Sequence, residues 1–474
     1  MGMLLILFST SMLPPIGVSL LYHDGSGGAF AIGFVITLIT GVGLWLPVSG
    51  SRRDIRVRDG FIIVTLFWLL LALFGSLPFV VSEHPQVSFS DAFFESISGL
   101  TTTGATVLSG IDQLPEAVRY YRQQLQWLGG MGIIVLAVAV MPMLGVGGMQ
   151  LYRAETPGPI KNTKLTPRIT ETAKALWYLY LGLTSVCALA YWLAGMNLFD
   201  AIGHSFATIA IGGFSTHDTS FAYFDSDAID TVAVVFMLLA GINFALHFHA
   251  WHLRSIKPYI ADAEAMTYLA IVLVTAVICV AVLLALGIFG KWYEAVRHGV
   301  FQAVAIATTT GFTTSGYHFW PMPLPVLLLS LSFIGGCAGS TAGGMKVIRA
   351  LLLYKQGVRE IFRLVHPEAL MPVKVGGKPM ADEIVSAVWA FFFLYVFSFV
   401  TLSLAMTATG ADLVTAYSAV AACLNNLGPG LGEVSQNYAG ISAAGKWILC
   451  LAMLLGRLEL FTLMVLFTRT LWRG

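Results

Sequence analysis

Long apolar stretches alternate with shorter polar stretches along the whole chain. An α-helix needs about 20 mostly apolar residues to cross a bilayer, and many of the stretches have that length. Two of them lead the chain, at residues 1–22 and 29–49. Eight more form four pairs: 61–81 with 123–147, 173–195 with 229–252, 266–290 with 323–354, and 384–408 with 446–470. The pattern therefore predicts two leading helices followed by four pairs of membrane-spanning helices.

A polar segment lies between the two helices of every pair, and the four segments resemble one another. Each begins with small and aromatic residues and continues into a run rich in Thr, Gly or Asn. They read DAFFESISGLTTTGAT, DAIGHSFATIAIGGFST, HGVFQAVAIATTTGFTT and TAYSAVAACLNNLGPG. One glycine has the same place in each of them: Gly104, Gly213, Gly311 and Gly428. These glycines recur at intervals of roughly one hundred residues, which indicates that one structural unit is repeated four times.

The first part of each segment predicts a helix too short to cross a bilayer, and hence one that enters the membrane and turns back. Non-helical backbone at membrane depth is tolerated where it is buried in protein or lines a wet cavity. Four such turns around one axis would aim helix C-termini and rings of backbone carbonyls at a central cation. A single TTTGAT would more often be a helix-packing motif, but four copies in register favour an ion-selectivity filter. The predicted filter residues are Thr102, Thr103, Gly104, Ile211, Gly212, Gly213, Thr309, Thr310, Gly311, Asn426, Leu427 and Gly428.

The repeats predict the organisation of an all-α membrane protein. Two leading helices are followed by four tandem helix–pore-loop–helix units, arranged as in a K⁺ channel around one central pore. The predicted boundaries are 1–50 for the leading helices and 51–150, 151–255, 256–360 and 361–474 for the four pore units.

The composition supports a membrane protein surrounded by lipid. Hydrophobic residues make up 57% of the chain and charged residues 11%, with a mean hydropathy of +0.80, whereas charged residues make up about 25% of a soluble domain. A net charge of +1 gives no indication of a nucleic-acid partner. The five cysteines lack the spacing of a metal site and are expected to be reduced packing residues. The first apolar stretch lacks a basic start and a cleavage site, so we expect a retained helix.

Positive charges predict the orientation in the membrane. Lys and Arg concentrate in the connections on the side opposite the polar segments, at 52–58, 153–168, 254–257 and 346–378. By the positive-inside rule, the polar segments face outwards and both termini are cytoplasmic. Acidic residues on the outer side would concentrate cations in a vestibule at the pore mouth, with loop solvation as the alternative for each of them. They include Asp91, Glu95, Asp200, Asp218, Asp225, Asp227 and Asp230.

A glycine-rich break, GGCAGSTAGG, interrupts the second helix of the third unit at residues 335–344. Counted from the start of that helix at about 1.5 Å per residue, it lies roughly 15–20 Å deep, near the middle of the membrane. So much glycine disfavours a continuous helix and permits a mobile loop, which predicts a gate. A phosphate-binding loop is a poor alternative because the GK[ST] ending is missing, whereas a glycine face for helix packing stays open. The predicted gating residues are Gly335, Gly336, Gly339, Ser340, Thr341, Gly343 and Gly344.

Arg457 lies inside the last predicted helix at about the same depth as the glycine-rich break, roughly 16 Å from the start of its helix. An arginine at that depth is a functional candidate, with snorkelling to the inner face as the alternative.

His247, His249 and His252 are expected to be interfacial or packing residues rather than metal ligands, because no carboxylate or cysteine is close in sequence. We find no nucleophile with an oriented base, so an enzyme is not expected.

Taken together, these motifs resemble those of the Trk/Ktr/HKT superfamily of potassium transporters, most closely its TrkH branch. The resemblance rests on the four filter segments, on WLGGMGIIV at 127–135, on GINFALHF at 241–248 and on GGCAGSTAGGMKVIR at 335–349, and it covers essentially the whole chain. It implies that each unit is similar to a K⁺-channel subunit, that the break is an intramembrane gating loop and that Arg457 narrows the pore beneath the filter.

The resemblance also implies a homodimer in the bacterial inner membrane that docks on a cytoplasmic TrkA-type regulatory subunit. Nucleotide or NAD binding is expected only on that partner, and no cofactor is expected in this chain. K⁺ is the expected transported ion, held at the filter residues.

The four filter segments differ from one another. The first and third contain TTTG, whereas the second has AIGG and the fourth has NNLG, which predicts an asymmetric filter that is less selective than a fourfold K⁺ channel. In plant relatives within the superfamily, serine in place of the first filter glycine accompanies Na⁺ transport, so glycine at Gly104 favours K⁺. The sequence therefore predicts a channel-like K⁺ uptake protein, with a cation-coupled (Na⁺ or H⁺) K⁺ symporter as the alternative. A structural or receptor protein would have no reason for four matched pore segments.

Overall fold

The computed structural model describes residues 1–49, 57–135, 169–369, 371–458 and 460–467. These residues are predominantly helical, with one small antiparallel hairpin of β1 (Lys374–Val375) and β2 (Lys378–Pro379). Six of the helices are long and apolar enough to cross a membrane: Gly2–Tyr22, Gly27–Val48, Asp59–Val81, Ala173–Leu193, Ala263–Ala285 and Asp382–Ala408. They correspond to the two leading helices and to the first helix of each predicted pair. The prediction of an all-α membrane protein is confirmed.

Among their described residues, the leading part and the first unit contain seven helices: α1 (Gly2–Ser9), α2 (Leu13–Tyr22), α3 (Gly27–Trp45), α4 (Val57–Gly75), α5 (Leu77–Val81), α6 (Phe89–Leu100) and α7 (Glu116–Val135). A 3₁₀ turn joins α1 and α2 into one span. Helix α3 packs against α1, α2 and α5, and α2 reaches α7. The leading helices are therefore attached to the first unit.

The next two units continue the series with α8 (Ile169–Leu193), α9 (Leu198–Ala210), α10 (Asp227–Ala240), α11 (Phe244–Leu253), α12 (Lys257–Ala261), α13 (Ala263–Ala285), α14 (Trp292–Ala307), α15 (Leu324–Ser332) and α16 (Val347–Val365). The last unit contains α17 (Asp382–Ala408), α18 (Leu413–Leu424), α19 (Ala443–Arg457) and α20 (Leu460–Met464). The predicted unit boundaries at 50/51 and 150/151 lie outside the described residues, and so does the basic connection at 153–168.

The four short helices α6, α9, α14 and α18 lie at the centre of the molecule. Every residue of α6 from Ala92 to Leu100 is buried. Each short helix packs against the flanking helices of its own unit and against the second helix of the preceding unit: α6 against α19, α9 against α7, α14 against α10, and α18 against α15. The four units therefore follow one another in a closed circle.

Side-chain caps explain where three of the short helices begin. The backbone amides of Asp91, Asp200 and Thr415 donate to the side chains of Ser88, Asn197 and Asp412, which precede α6, α9 and α18. Such a cap satisfies an amide that has no partner within the helix. It also fixes the first turn of each helix relative to the preceding span.

The prediction of a continuous second spanning helix is wrong for the second and fourth units, whereas the break predicted in the third unit is present. In the second unit α10 and α11 are bent by 95° at residues 241–243, where the Asn243 side chain caps the new helix by accepting from the Ala245 amide. In the third unit residues 333–346 separate α15 from α16, and in the fourth α19 ends at Arg457. The second helix of the first unit begins at Glu116, earlier than predicted, and its residues beyond 135 lie outside the described part of the chain.

Candidate ion-conduction site

All four short helices end in the same backbone turn. The residue two positions before the aligned glycine is left-handed in each, with φ of 52° at Thr102, 53° at Ile211, 66° at Thr309 and 52° at Asn426. The following amide donates to the carbonyl five residues earlier, at N···O distances of 2.8–2.9 Å. This is the Schellman arrangement, in which glycine or asparagine normally supplies the left-handed residue. Threonine and isoleucine disfavour that φ by roughly 1–2 kcal/mol, so the surrounding structure must impose the turn.

The four aligned glycines close a ring. They also have positive φ, from 79° to 95°. A β-carbon on Gly104 would lie 2.1 Å from the carbonyl oxygen of Gly212 in the next unit. The other three glycines approach their neighbours in the same way, at 1.9–2.8 Å: Gly213 faces the Thr310 oxygen, Gly311 the Leu427 oxygen and Gly428 the Thr103 oxygen. Each unit therefore touches the next through its backbone, and the fourth unit returns to the first.

Backbone carbonyls, rather than charged side chains, form this ring. The oxygens that meet the glycines belong to the residue just before the next unit's glycine, so all four units contribute the same layer. Carbonyl oxygens are the groups that replace the hydration shell of K⁺ in a channel filter. No group of three or more His, Cys, Asp or Glu among the described residues could hold a metal ion. Cation binding at this level would therefore depend on backbone oxygens.

The structure brings all twelve predicted filter residues to the ring, three from each unit, and the side chains beside them differ between units. The Thr101 and Thr103 hydroxyls pair at 2.8 Å in the first unit, and those of Thr308 and Thr310 pair at 2.7 Å in the third. In the fourth unit the Asn426 amide instead donates to the Thr103 hydroxyl of the first unit, at 2.9 Å. The surroundings of the ring are thus not fourfold symmetric.

Gln126 supports the turn of the second unit, although it belongs to the first. Its side-chain amide donates to the Gly212 carbonyl at 2.6 Å, and its side-chain oxygen accepts from the Phe214 amide at 3.0 Å. Both bonds are buried. Sequence analysis missed this residue. The one signal for it in the sequence is that a glutamine lies inside a helix that was expected to be apolar.

A cavity of about 300 Å³ opens on one side of the ring. The four aligned glycines contribute to its lining, and so do Arg122, His217 and Asp218. Of the acidic residues expected in a vestibule, Asp218 lines this cavity. The other six are bonded within the protein: Asp91 to Lys446, Glu95 to Arg122, Asp200 to His217 and Thr216, and Asp225, Asp227 and Asp230 to Arg297.

A buried ion pair between Arg122 and Glu95, both of the first unit, lies beside the ring. The Arg122 Nε atom lies 2.7 Å from Glu95 Oε1, and both side chains are at most 1% exposed. Arg122 also donates to the Ser215 carbonyl at 3.0 Å, and its guanidinium lies over the Phe214 ring. Glu95 accepts in addition from the Val107 amide. The expectation that Glu95 faces a vestibule is therefore wrong, because its charge is neutralised inside the protein.

His217, which also lines the cavity, connects the second unit to the first. Its imidazole bonds to a carboxylate on each side, Asp112 of the first unit and Asp200 of the second, the latter at 3.1 Å, and its ring stacks on Tyr223. Burial lowers the pKa of His217, but the hydrogen bonds and charges of Asp200 and Asp112 outweigh burial and raise it above its usual 6.5. Burial raises the pKa of Asp112, but its bonds to His217 and Asp218 lower it overall.

The glycine-rich break lies directly against the ends of the central helices. Left-handed φ values at Gly335, Gly339 and Gly344 turn the chain back on itself between α15 and α16. The Gly343 amide donates to the Thr309 hydroxyl at 2.7 Å, and the Gly344 amide donates to the Asn425 carbonyl at 3.1 Å. The loop is therefore held from the side opposite the cavity, immediately behind the filter residues.

Thr341 and Arg457 connect this loop to the remaining units. The Thr341 hydroxyl donates to the Ile209 carbonyl at the end of α9, at 2.9 Å. The guanidinium of Arg457 donates to the Thr341 carbonyl at 3.1 Å and to the Gly129 carbonyl of the first unit at 3.2 Å. Arg457 is 5% exposed, so its charge does not snorkel to an interface. Besides these two carbonyls, the guanidinium of Arg457 contacts the Trp68 ring, 6.0 Å from the ring centroid.

Glu264 fastens the loop at its other end and was missed by sequence analysis. It is 6% exposed in the first turn of α13. One carboxylate oxygen accepts from the Ala338 amide at 2.7 Å and from the Ile348 amide at 3.3 Å. It thereby joins the loop to the first turn of α16. The sequence does contain a signal for this role of Glu264. It is a carboxylate at the start of an apolar span, in a unit that later contains a glycine-rich break.

His247 bonds across the bend of the second unit. Its ring nitrogens lie 2.8 Å from the Leu239 carbonyl and 2.8 Å from the Tyr259 hydroxyl. These bonds occupy both nitrogens, which fits the expected packing role better than metal ligation. The bend also contacts the glycine-rich loop, because the Phe244 amide donates to the Gly339 carbonyl at 3.0 Å.

Comparison with known proteins identifies similar sequences over the entire chain. The family model described as TrkH, a cation transport protein, matches residues 26–473. The Trk system potassium uptake protein TrkH of Vibrio parahaemolyticus is 56% identical over 475 residues, covering 100% of this chain and 98% of that protein. The protein of the same name from Escherichia coli K12 is 54% identical over 472 residues, with the same coverage.

A solved structure is similar throughout. The crystal structure of the potassium transporter TrkH from Vibrio parahaemolyticus superposes with a TM-score of 0.93 at 53% sequence identity. It covers 100% of this chain and 98% of that chain. The arrangement of helices described above is therefore shared with a membrane transporter.

Proposed function

Because the chain belongs to the TrkH family of cation transport proteins, we propose that it is the potassium-conducting pore subunit of a Trk-type potassium uptake system. Family membership makes it a membrane transporter rather than an enzyme. The relatives at 54% and 56% identity are named as potassium uptake proteins of a Trk system. The identity of the ion and the route through the chain are our proposals.

The observation that carries the proposal is the closed ring of Gly104, Gly213, Gly311 and Gly428. We assign the twelve residues around this ring to the selectivity filter, with K⁺ as the ion that they bind. Partly dehydrated K⁺ would exchange water for carbonyl oxygens as it passes the ring. Glycine is needed there because a β-carbon would occupy the space of a neighbouring carbonyl oxygen.

We assign the gate to the loop residues Gly335, Gly336, Gly339, Ser340, Thr341, Gly343 and Gly344 together with Arg457. The loop lies against the ends of the central helices, and Arg457 adds a positive charge at the same level. At an effective dielectric of about 20, a unit charge roughly 4 Å away costs a cation about 4 kcal/mol. Loop and arginine together therefore oppose conduction in the conformation described here, and opening requires both to move.

We further propose a homodimer in the bacterial inner membrane, with both termini cytoplasmic and the cavity facing outwards. A cytoplasmic TrkA-type subunit would supply regulation, since the names of the relatives refer to a system with more than one component. Nucleotide or NAD binding would belong to that partner. This chain would bind K⁺ as its transported ion and no resident cofactor.

Reconstitution into liposomes tests the proposal. Purified protein is placed in vesicles with a K⁺ gradient, and K⁺ and Na⁺ movements are followed with and without a Na⁺ or pH gradient. A channel dissipates the K⁺ gradient and reverses at the K⁺ equilibrium potential under every condition. K⁺ accumulation against its own gradient, driven by Na⁺ or H⁺, would establish the alternative, a cation-coupled K⁺ symporter. Absence of any K⁺ movement with added regulatory subunit would refute both.

A further inference from the structure

A second, larger cavity lies away from the ring, beside the spanning helix α8 of the second unit. It has a volume of about 840 Å³. One wall is the face of α8 from Ala175 to Val186, and the opposite wall is formed by α11, α12 and the turn between them. We call this cavity the elbow groove, because helices α10 and α11, on the two sides of the bend, both contribute to its lining.

The elbow groove has the length of one membrane leaflet. From Ala175 to Val186, α8 rises about 16 Å at 1.5 Å per residue, and the hydrocarbon core of one leaflet is about half of 30 Å. The lining is mostly apolar, and Gly182 opens its centre, because a β-carbon there would meet no atom within 4 Å. The shape therefore fits an extended acyl chain.

Positive charge collects at one end of the groove. Arg254 lines it, and the exposed Lys257 directly follows the lining residue Ile256. Lys174, which is also exposed, directly precedes Ala175 at the start of the α8 wall. None of the described residues that line the groove is Asp or Glu. Trp251, which is 79% exposed, stands at the same end, as is typical of an aromatic residue at a membrane–water interface. The negative charge of a phosphate group would complement the positive charge at this end of the groove.

We infer that the elbow groove binds one anionic phospholipid, with its phosphate at Arg254 and an acyl chain along α8. The site is distinct from the proposed conduction path. It adjoins the His247 bonds to Leu239 and Tyr259 that hold the bend, so a bound lipid stabilises the bend. Since the bend contacts the glycine-rich loop through Phe244, the lipid also supports the resting position of that loop.

Native mass spectrometry of the full-length protein tests the inference without any ion flux, so its result is independent of the proposed transport function. The detergent-purified protein is titrated with phosphatidylglycerol and, separately, with phosphatidylcholine. We expect one tightly bound phosphatidylglycerol per chain and weaker phosphatidylcholine binding. Arg254→Gln should reduce the preference for phosphatidylglycerol over phosphatidylcholine about fivefold, because this is roughly what one cation contributes near an anionic surface. Arg254→Lys should retain most of the preference, because it keeps the positive charge.

A second variant separates the groove from general lipid association. Gly182→Leu fills the groove and should remove the tightly bound lipid. Gly17→Leu is the matched control, because Gly17 on α2 also has no atom within 4 Å of a β-carbon but lies outside the groove. Equal binding of both lipids, or tight binding that survives both Arg254→Gln and Gly182→Leu, would overturn the inference. Cross-linking of the groove to a second copy of the chain would assign it to a dimer interface instead.

Discussion

The guanidinium of Arg457 donates a hydrogen bond to the backbone carbonyl of Thr341 across 3.1 Å. The two residues come from different units, and the Thr341 hydroxyl continues to the Ile209 carbonyl at the end of a central helix. One chain of buried bonds thus joins the last helix, the glycine-rich loop and the ring. Displacing the glycine-rich loop breaks the Arg457 bond to Thr341 and leaves the buried guanidinium with fewer hydrogen-bond partners. Because unsatisfied buried donors cost free energy, the loop is favoured in the position described here.

Replacing Arg457 should increase ion flux. Even one third of the roughly 4 kcal/mol that a nearby unit charge costs a cation corresponds to about a tenfold change in rate. We expect Arg457→Ala to raise K⁺ flux in liposomes about tenfold or more without a regulatory subunit. The K⁺ flux of Arg457→Lys should stay near that of the wild type, because lysine keeps the positive charge. Lys291→Ala is the control, since it removes an exposed cation elsewhere and should leave the K⁺ flux unchanged. Wild-type flux in Arg457→Ala at equal protein content would remove Arg457 from the conduction path.

A methyl group in the ring should block conduction. In Gly213→Ala the new β-carbon would lie 1.9 Å from the Thr310 carbonyl oxygen. Gly110→Ala is the matched control, since Gly110 has a similar left-handed φ of 68° but no atom within 4 Å of a β-carbon. Both variants carry the backbone strain, on the order of 1 kcal/mol. We expect Gly213→Ala to lose K⁺ flux or K⁺ over Na⁺ preference, measured with paired ion gradients, and Gly110→Ala to keep both. Equal losses in the two variants would point to strain alone.

Local sequence signals predicted the repeat because each unit carries its own copy. The aligned glycines and the break at 335–344 are each marked by residues within a few positions of one another, whereas the surrounding structure imposes the left-handed turns beside the glycines. The first helix of each unit was also predictable, because it is long and apolar enough to cross a membrane and its hydropathy shows this.

The remaining features depend on contacts between distant residues. Helix α7 is polar at Arg122 and Gln126 because both side chains bond to the second unit, so hydropathy placed its start too late. The bend at 241–243 is marked by one glycine and one asparagine within an apolar stretch, too weak a signal to distinguish a break from a continuous helix. Glu95 and Arg122 are far apart in sequence, and only the fold pairs them.

Breaking the buried pair of Glu95 and Arg122 should destabilise the protein. Glu95→Gln leaves the Arg122 charge buried without its carboxylate, and such a change typically costs about 3–5 kcal/mol. We expect a clear fall in the thermal unfolding midpoint in detergent. Glu360→Gln is the control, because the ion pair of Glu360 with Arg363 is about half exposed and 3.5 Å long, worth about 1 kcal/mol or less. Similar midpoints for the two variants would mean that Arg122 finds adequate compensation in the Ser215 carbonyl and the Phe214 ring.

The link between His217, Asp112 and Asp200 should make stability depend on pH. The charged and titratable groups around His217 include Asp112 from the first unit and, from the second, Asp200, His204, Asp218 and Tyr223. Because the pKa of His217 is raised above 6.5 in the folded protein, its contribution is fully present below pH 6.5 and is lost as pH rises through the raised pKa.

The pKa of Asp112 is lowered from 3.8, so its contribution is present throughout that range and is lost only under strong acid. We expect the unfolding midpoint of the wild type to fall as pH rises above about 6.5 and through the raised pKa of His217. His217→Gln keeps hydrogen-bonding capacity without the charge and should make the unfolding midpoint depend less on pH. His84 is an exposed histidine, so His84→Gln should leave the pH dependence of the midpoint unchanged. An unchanged slope in His217→Gln would show that another group controls the pH response.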